Sequence, residues 1–145
     1  MDQLPPDFPL RDTISALVIL ATLSAFALPG FANVERESRQ AALDDLTLAM
    51  RNSAALVHAV WAATGANSEF VALEGKTIQV NANGYPVNAT AMRSALHTDP
   101  LGNGYRLSDK GFAPAEVAYP AACTVSYDPS SSPPRISSPA LLDCQ

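Results

Sequence analysis

The sequence predicts an α+β protein in which one long N-terminal α-helix packs on a small antiparallel β-sheet head. Two observations carry this prediction. An uncharged apolar segment near the start of the chain continues into an amphipathic one, and short β-prone stretches separated by turn residues fill much of the remainder. At 145 residues, the chain has room for one compact domain with an appended helix.

The apolar segment covers residues 13–34 and contains no charged side chain. As a helix it would span roughly 33 Å at about 1.5 Å per residue, enough to cross a bilayer core of about 30 Å. We expect a hydrophobic transmembrane or assembly helix over residues 8–33, after a leader-like segment over residues 1–7. A buried core helix and a cleavable export signal are the alternatives, and Ala25-Phe26-Ala27 has the small-residue spacing of a cleavage site.

The amphipathic continuation runs from about residue 34 to residue 64, where Gly65 is a suitable C-terminal stop. Its apolar residues recur at three-, four- and seven-residue spacing, with Trp61 beside the same stripe: Leu43, Leu46, Met50, Val57 and Val60. A cleaved signal has no need of such a continuation, whereas a membrane-stored assembly subunit does. Pro29 lies at the junction and removes a backbone donor, so we expect a kink or local melting there.

The globular head, predicted over residues 34–145 with the amphipathic half of the helix, contains several short elements. Turn residues and β-prone runs predict a hairpin, a capped helix and two later strands. These are residues 69–73 and 76–81 around Glu74-Gly75, residues 90–97 with Asn88 or Thr90 as cap, residues 117–119 and residues 122–127. One antiparallel sheet of these strands would cover the apolar stripe of the helix.

Composition argues against several function classes. The net charge is −5 and the basic residues are scattered, so we expect no nucleic-acid partner. The chain has neither a phosphate-binding glycine loop nor a Gly-x-Ser-x-Gly motif, which argues against an enzyme. His58 and His97 are the only histidines and lie at no ligand spacing from a cysteine, and residues 99–104 have too few acids for a calcium loop. We therefore expect no metal and no cofactor.

Cys123 and Cys144 flank a segment rich in proline and serine. A disulfide between them would stabilise the head by about 3 kcal/mol in the chain-entropy model. It would also place the head in an oxidising compartment, such as the periplasm or the cell exterior. The alternative is a pair of free thiols in a reducing cytosol.

The start of the chain resembles the prepilin signature of type IV pilins. The run Asp7-Phe8-Pro9-Leu10-Arg11-Asp12 and the later Ala27-Leu28-Pro29 align without gaps with the Gly-Phe-Thr-Leu-Ile-Glu start and the Ala-Leu-Pro of that family. Phe8 then stands at the first mature residue, Asp12 at the family's glutamate and Pro29 at its helix-kinking proline, while Asp7 replaces glycine at the processing position. Phe31-Ala32-Asn33, Gly84-Tyr85-Pro86 and the C-terminal cysteines are similar to mannose-sensitive haemagglutinin-type pilins.

This resemblance implies a structural subunit of a type IV pilus or pilus-like filament. The subunit would be anchored in the inner membrane and then join an extracellular filament. Its partners would be copies of itself, the pilus or secretion assembly machinery, and the membrane. Asp12 would pair with the amino terminus of a neighbouring subunit, or would lie solvated at the membrane edge. The alternative function is a minor pseudopilin, or a membrane-anchored or secreted binding module whose helix is only a tether or export signal.

Overall fold

The computed structural model describes the backbone of residues 10–140 and of Cys144. The side chains of residues 36–140 and of Cys144 are described as well, whereas those of most of residues 10–35 lie outside the description. The chain divides into two compact units, Met1–Arg39 and Gln40–Gln145. The described elements are one long helix, one short helix, a 3-10 turn and six strands in antiparallel sheets. The predicted α+β class is therefore confirmed for the described part of the chain.

Helix α1 covers Leu10–Ala63, and its backbone stays helical through Pro29, so the chain does not melt there. Its C-terminus is closed by two hydrogen bonds, from Gly65 N–H to the Ala62 carbonyl at 3.3 Å and from Ala66 N–H to the Trp61 carbonyl at 3.1 Å. Gly65 has a φ of 100°, a backbone conformation that residues with a side chain rarely adopt. This is the pairing of a Schellman motif, and the predicted stop at Gly65 is confirmed.

Over the part of the chain whose placement is described, none of the helices combines the length and the apolarity that a membrane span requires. Most side chains of the predicted transmembrane segment, residues 8–33, lie outside this description. The predicted leader, residues 1–7, lies entirely outside it.

The first sheet is a hairpin of β1, Phe70–Leu73, and β2, Lys76–Gln79. Leu73 pairs with Lys76 across the two-residue connection. Glu74 and Gly75 have φ values of 50° and 77°, as a type I′ turn requires. The predicted hairpin is therefore confirmed.

The second sheet has four antiparallel strands in the order β3-β4-β5-β6. They are Tyr105–Ser108, Gly111–Pro114, Val125–Asp128 and Arg135–Ser137. The prediction of a strand over residues 117–119 is wrong, because this segment lies in the loop between β4 and β5. Val117 is buried and pairs with no strand among the described residues, so its apolar character reflects packing and not strand formation. The single predicted sheet is also corrected to two sheets.

The short helix α2 covers Ala89–Ala95, and Asn88 is its N-cap. The Asn88 side-chain oxygen accepts a hydrogen bond from Ala91 N–H at 2.8 Å, so the first of the two predicted caps is the one used. A 3-10 helix follows at Pro100–Asn103, where Asp99 caps Leu101 N–H. These caps satisfy backbone donors that a helix start leaves unpaired.

One hydrophobic core holds the unit of residues 40–145 together. Met50 and Val57 on α1 are fully buried, and Leu46 is 9% exposed. The predicted stripe therefore faces the core, with Val60 and Trp61 partly buried at its edge. The core partners include residues from both sheets and from α2: Ile78, Met92, Phe112, Val125 and Ile136.

Candidate functional site

The first unit presents exposed aliphatic side chains on α1. Ile14, Leu17 and Val18 are 57%, 66% and 56% exposed. Their spacing of three and four residues places them on one side of the helix. Large exposed apolar patches are typical of surfaces that bind protein or lipid, so this side of α1 is a candidate contact surface.

The second unit shows a related surface where α1 faces away from the core. Leu48 and Leu56 are about half exposed, at 56% and 48%, and small exposed alanines lie between and beyond them. Arg51 is the only charged residue of α1 after Asp45, and its guanidinium donates to the Ile136 carbonyl at 3.1 Å. The outward side of this helix segment is named here the uncharged face and comprises Leu48, Asn52, Ala55, Leu56 and Ala59. It lacks the charges that usually cover a solvated helix.

The residues predicted for processing and assembly can be placed only in part. Asp7 and Phe8 lie outside the described residues. Asp12 and Pro29 belong to the backbone of α1, but their side chains lie outside the description. The pairing of Asp12 with a neighbouring amino terminus stays a prediction.

The predicted disulfide joins Cys123 and Cys144, whose Cα atoms are 4.7 Å apart. Both cysteines are buried. The bond closes a segment that contains β5, β6 and the loop between them. At the end of β5, hydrogen bonds from the side chain and backbone of Ser130 hold the pKa of Asp128 below its ordinary value.

An aromatic cluster joins the end of α1 to the turn after β2. The His58 ring stacks on Tyr85 with centroids 4.5 Å apart and planes 9° from parallel. Its Nδ1 lies 2.8 Å from the Asn83 carbonyl, and because a carbonyl only accepts, Nδ1 carries the proton. His58 thus packs on Tyr85 and binds the turn after β2.

Trp61 borders a cavity of about 480 Å³ in the same region. The indole Nε1 donates to the Ser68 carbonyl at 2.9 Å. The cavity walls come from the end of α1, the segment before β1 and the end of β2. Sequence reasoning missed this cavity because its residues lie on three separated segments, and the half-buried Trp61 beside the stripe was its one available signal.

Two pairs of polar side chains lie on the surface beside α2. Arg93 donates to both carboxylate oxygens of Asp99, at 2.9 and 2.6 Å, and these bonds hold the pKa of Asp99 below its ordinary value. His97 Nδ1 lies 3.1 Å from a Glu74 carboxylate oxygen. These side chains are exposed to solvent, so each pair contributes little to the stability of the head.

Metal coordination finds no support in the described residues, where no group of three histidine, cysteine or acidic side chains converges. Comparison with known proteins gives no match to a family model, a curated protein or a solved structure. The interpretation of function therefore rests on the residues of this chain and on the resemblance that they carry.

Proposed function

We propose that the chain is a structural subunit of a type IV pilus or pilus-like filament. Its N-terminal helix anchors it in the inner membrane before assembly and then packs against copies of itself. The observation that carries this proposal is the exposed apolar surface of α1, which includes Leu17 in the first unit and the uncharged face in the second.

The small residues on the uncharged face support helix packing between subunits. Ala55 and Ala59 are exposed and lie one helical turn apart, so a second helix could approach the backbone closely there. Leu48 and Leu56 would add apolar area removed from water, which contributes about 25 cal/mol per Å². These alanine and leucine side chains would bring no such gain in free energy to a helix face that stayed exposed to water.

The amino-terminal part of the proposal follows the prepilin resemblance. Cleavage between Asp7 and Phe8 would create a charged amino terminus, and the Asp12 carboxylate of a neighbouring subunit would neutralise it. A buried carboxylate without a partner is unfavourable, so this pairing would set the axial register of the filament. The disulfide supports the oxidising location that a periplasmic or extracellular head requires.

A tethered binding module is the second candidate, and the cavity beside Trp61 favours it. In that case α1 would only hold the head at a membrane, and copies would not need to touch. The two candidates differ in whether the apolar surface of α1 is required for self-association.

The test introduces a charge on that surface in the full chain, produced in bacteria that have a pilus assembly system. Leu17→Lys and Leu56→Lys are compared with Thr77→Lys, which adds the same charge at an exposed position on β2. We expect both leucine variants to reduce filaments in the sheared cell-surface fraction by at least about tenfold, because an unpaired charge in an apolar bundle is strongly unfavourable. The Thr77 variant should assemble normally.

Folding of each variant is checked by formation of the Cys123–Cys144 bond, because a misfolded head would also abolish assembly. Normal filaments from both leucine variants would contradict the proposal. A wild-type chain that stays in the membrane fraction as separate copies would favour the tethered module.

A further inference from the structure

The cleft beside Trp61 has the features of a ligand site that the proposed assembly does not use. It has a volume of about 480 Å³ and lies entirely within the unit of residues 40–145. Its lining includes one aromatic ring and several polar side chains from three segments: Trp61, Asn67, Glu69, Gln79 and Asn81.

Trp61 is held in place by the surrounding structure. Its Nε1 donates to the Ser68 carbonyl at 2.9 Å, and its ring packs on Gly84, where even a Cβ atom would overlap with the indole. The ring is nevertheless only partly buried. A ligand would therefore meet an aromatic surface that is already oriented, with little ordering needed on binding.

Three polar side chains of the cleft are uncommitted. Asn67, Glu69 and Gln79 are exposed, and their side chains make no hydrogen bond or ion pair within the described structure. Asn81 differs, because its amide donates to the Pro129 carbonyl and accepts from the N–H groups of Asn83 and Tyr85. Asn81 thus shapes the cleft, and the other three are available to a ligand.

The charge of the cleft selects the class of ligand. Glu69 is its only ionisable side chain, and among the described residues no lysine or arginine lines it. An anion would meet a carboxylate with no compensating positive charge. A cation would gain from that carboxylate, from the amide oxygens and from the electron-rich face of the indole.

We propose that this cleft binds the ammonium group of an organic cation. The indole of Trp61 contacts the cation through its π face, and Glu69 supplies the opposite charge. Asn67 and Gln79 accept hydrogen bonds where the ammonium group carries N–H donors. This role belongs to the head alone and holds whether or not the chain forms filaments.

The chain contains a single tryptophan, so its intrinsic fluorescence reports on this cleft alone. The full chain in non-ionic detergent is titrated with choline and with its uncharged isostere, in which a tert-butyl group replaces the trimethylammonium group. We expect a saturable fluorescence change with choline, and binding of the isostere that is at least about threefold weaker, because only choline gains the cation–π attraction. Equal binding of the two molecules would overturn the proposal.

The ammonium group could come from a small molecule or from a protein side chain. Titration with Nα-acetyl-lysine amide distinguishes these sources. Its side chain keeps a primary ammonium group, which would also donate hydrogen bonds to Asn67 and Gln79. Tighter binding of choline supports a small quaternary cation, and tighter binding of the lysine derivative supports a protein side chain. A saturable response to glucose but to neither cation would overturn the proposal in favour of a polyhydroxyl site.

Glu69→Gln removes the charge and preserves the shape of the side chain, and Glu116→Gln is the matched control in the loop before β5. We expect the Glu69 variant to bind choline about two- to fivefold more weakly, the range of an exposed ion pair. The Glu116 variant should bind like the wild type. Unchanged affinity in the Glu69 variant, or equal losses in both variants, would contradict the proposed role of Glu69.

Discussion

Among single residues, Gly84 is constrained both by its own backbone and by its neighbour. Its φ is 77°, and the position that a Cβ atom would take overlaps with three atoms of the Trp61 ring. The residue lies in the turn that places Asn83 against His58. The contact between Gly84 and Trp61 therefore packs the segment between β2 and α2 against the end of α1.

Gly84→Ala is expected to reduce the free energy of unfolding by about 2–4 kcal/mol. The positive φ accounts for about 1–2 kcal/mol of this loss, and displacement of the indole accounts for the rest. The measurement is urea unfolding of the full chain in detergent, followed by the fluorescence of Trp61.

Gly75→Ala is the matched control, because Gly75 also has a φ of 77° but has open space around its Cβ position. It should show only the backbone part of the loss, about 1–2 kcal/mol. Equal losses at the two glycines would mean that contact with Trp61 does not restrict Gly84.

At the scale of elements, α1 shows how one helix can serve two surfaces. In the unit of residues 40–145, Met50 and Val57 face the core, while Leu48 and Leu56 lie on the uncharged face. The period of the helix separates these two sets, so residues close in sequence differ sharply in burial. The apolar side chains of both sets are therefore compatible with one packed core and one assembly surface on the same helix.

Met50→Ala should lower the free energy of unfolding by about 2–5 kcal/mol, because it removes a fully buried side chain and leaves a cavity. Leu48→Ala, two residues away, should change it by less than about 0.5 kcal/mol, since that side chain is 56% exposed. Chemical denaturation of the two variants measures both values. A large loss for Leu48→Ala in separate, unassembled copies would place Leu48 in the core.

The strands β3 and β4 show why part of the second sheet is absent from the sequence prediction. β4 begins at Gly111 and ends at Pro114, two residues that are depleted in strands. The glycine is required because a Cβ atom there would overlap with the Val125 carbonyl on β5. Close approach of a neighbouring strand, and not local propensity, explains this choice.

At the scale of the whole molecule, the disulfide ties the C-terminus to the start of β5. The bonded cysteines are 21 positions apart, and the segment between them has strands of only three and four residues. Both cysteines belong to the hydrophobic core cluster, so the bond joins the tail directly to the core. Its loss would affect the order of the second sheet as well as the tail.

Reduction of the Cys123–Cys144 bond is expected to lower the free energy of unfolding by about 3 kcal/mol, the chain-entropy value for a loop of this length. The measurement compares urea unfolding with and without a thiol reductant. A Cys123→Ser/Cys144→Ser double variant should unfold at the midpoint of the reduced wild type and should not respond to the reductant. An unchanged midpoint on reduction would show that packing alone holds the tail.

Local chemistry allowed the sequence by itself to determine the long helix with its buried stripe, the stop at Gly65, the Glu74-Gly75 hairpin and the pairing of two cysteines. Each depends on periodicity, a cap, a turn or the count of one residue type. The tertiary structure alone decided the β3–β4 pairing, the burial of Val117 in a loop and the cleft beside Trp61. These depend on contacts between residues far apart in the chain, and no local pattern encodes such contacts.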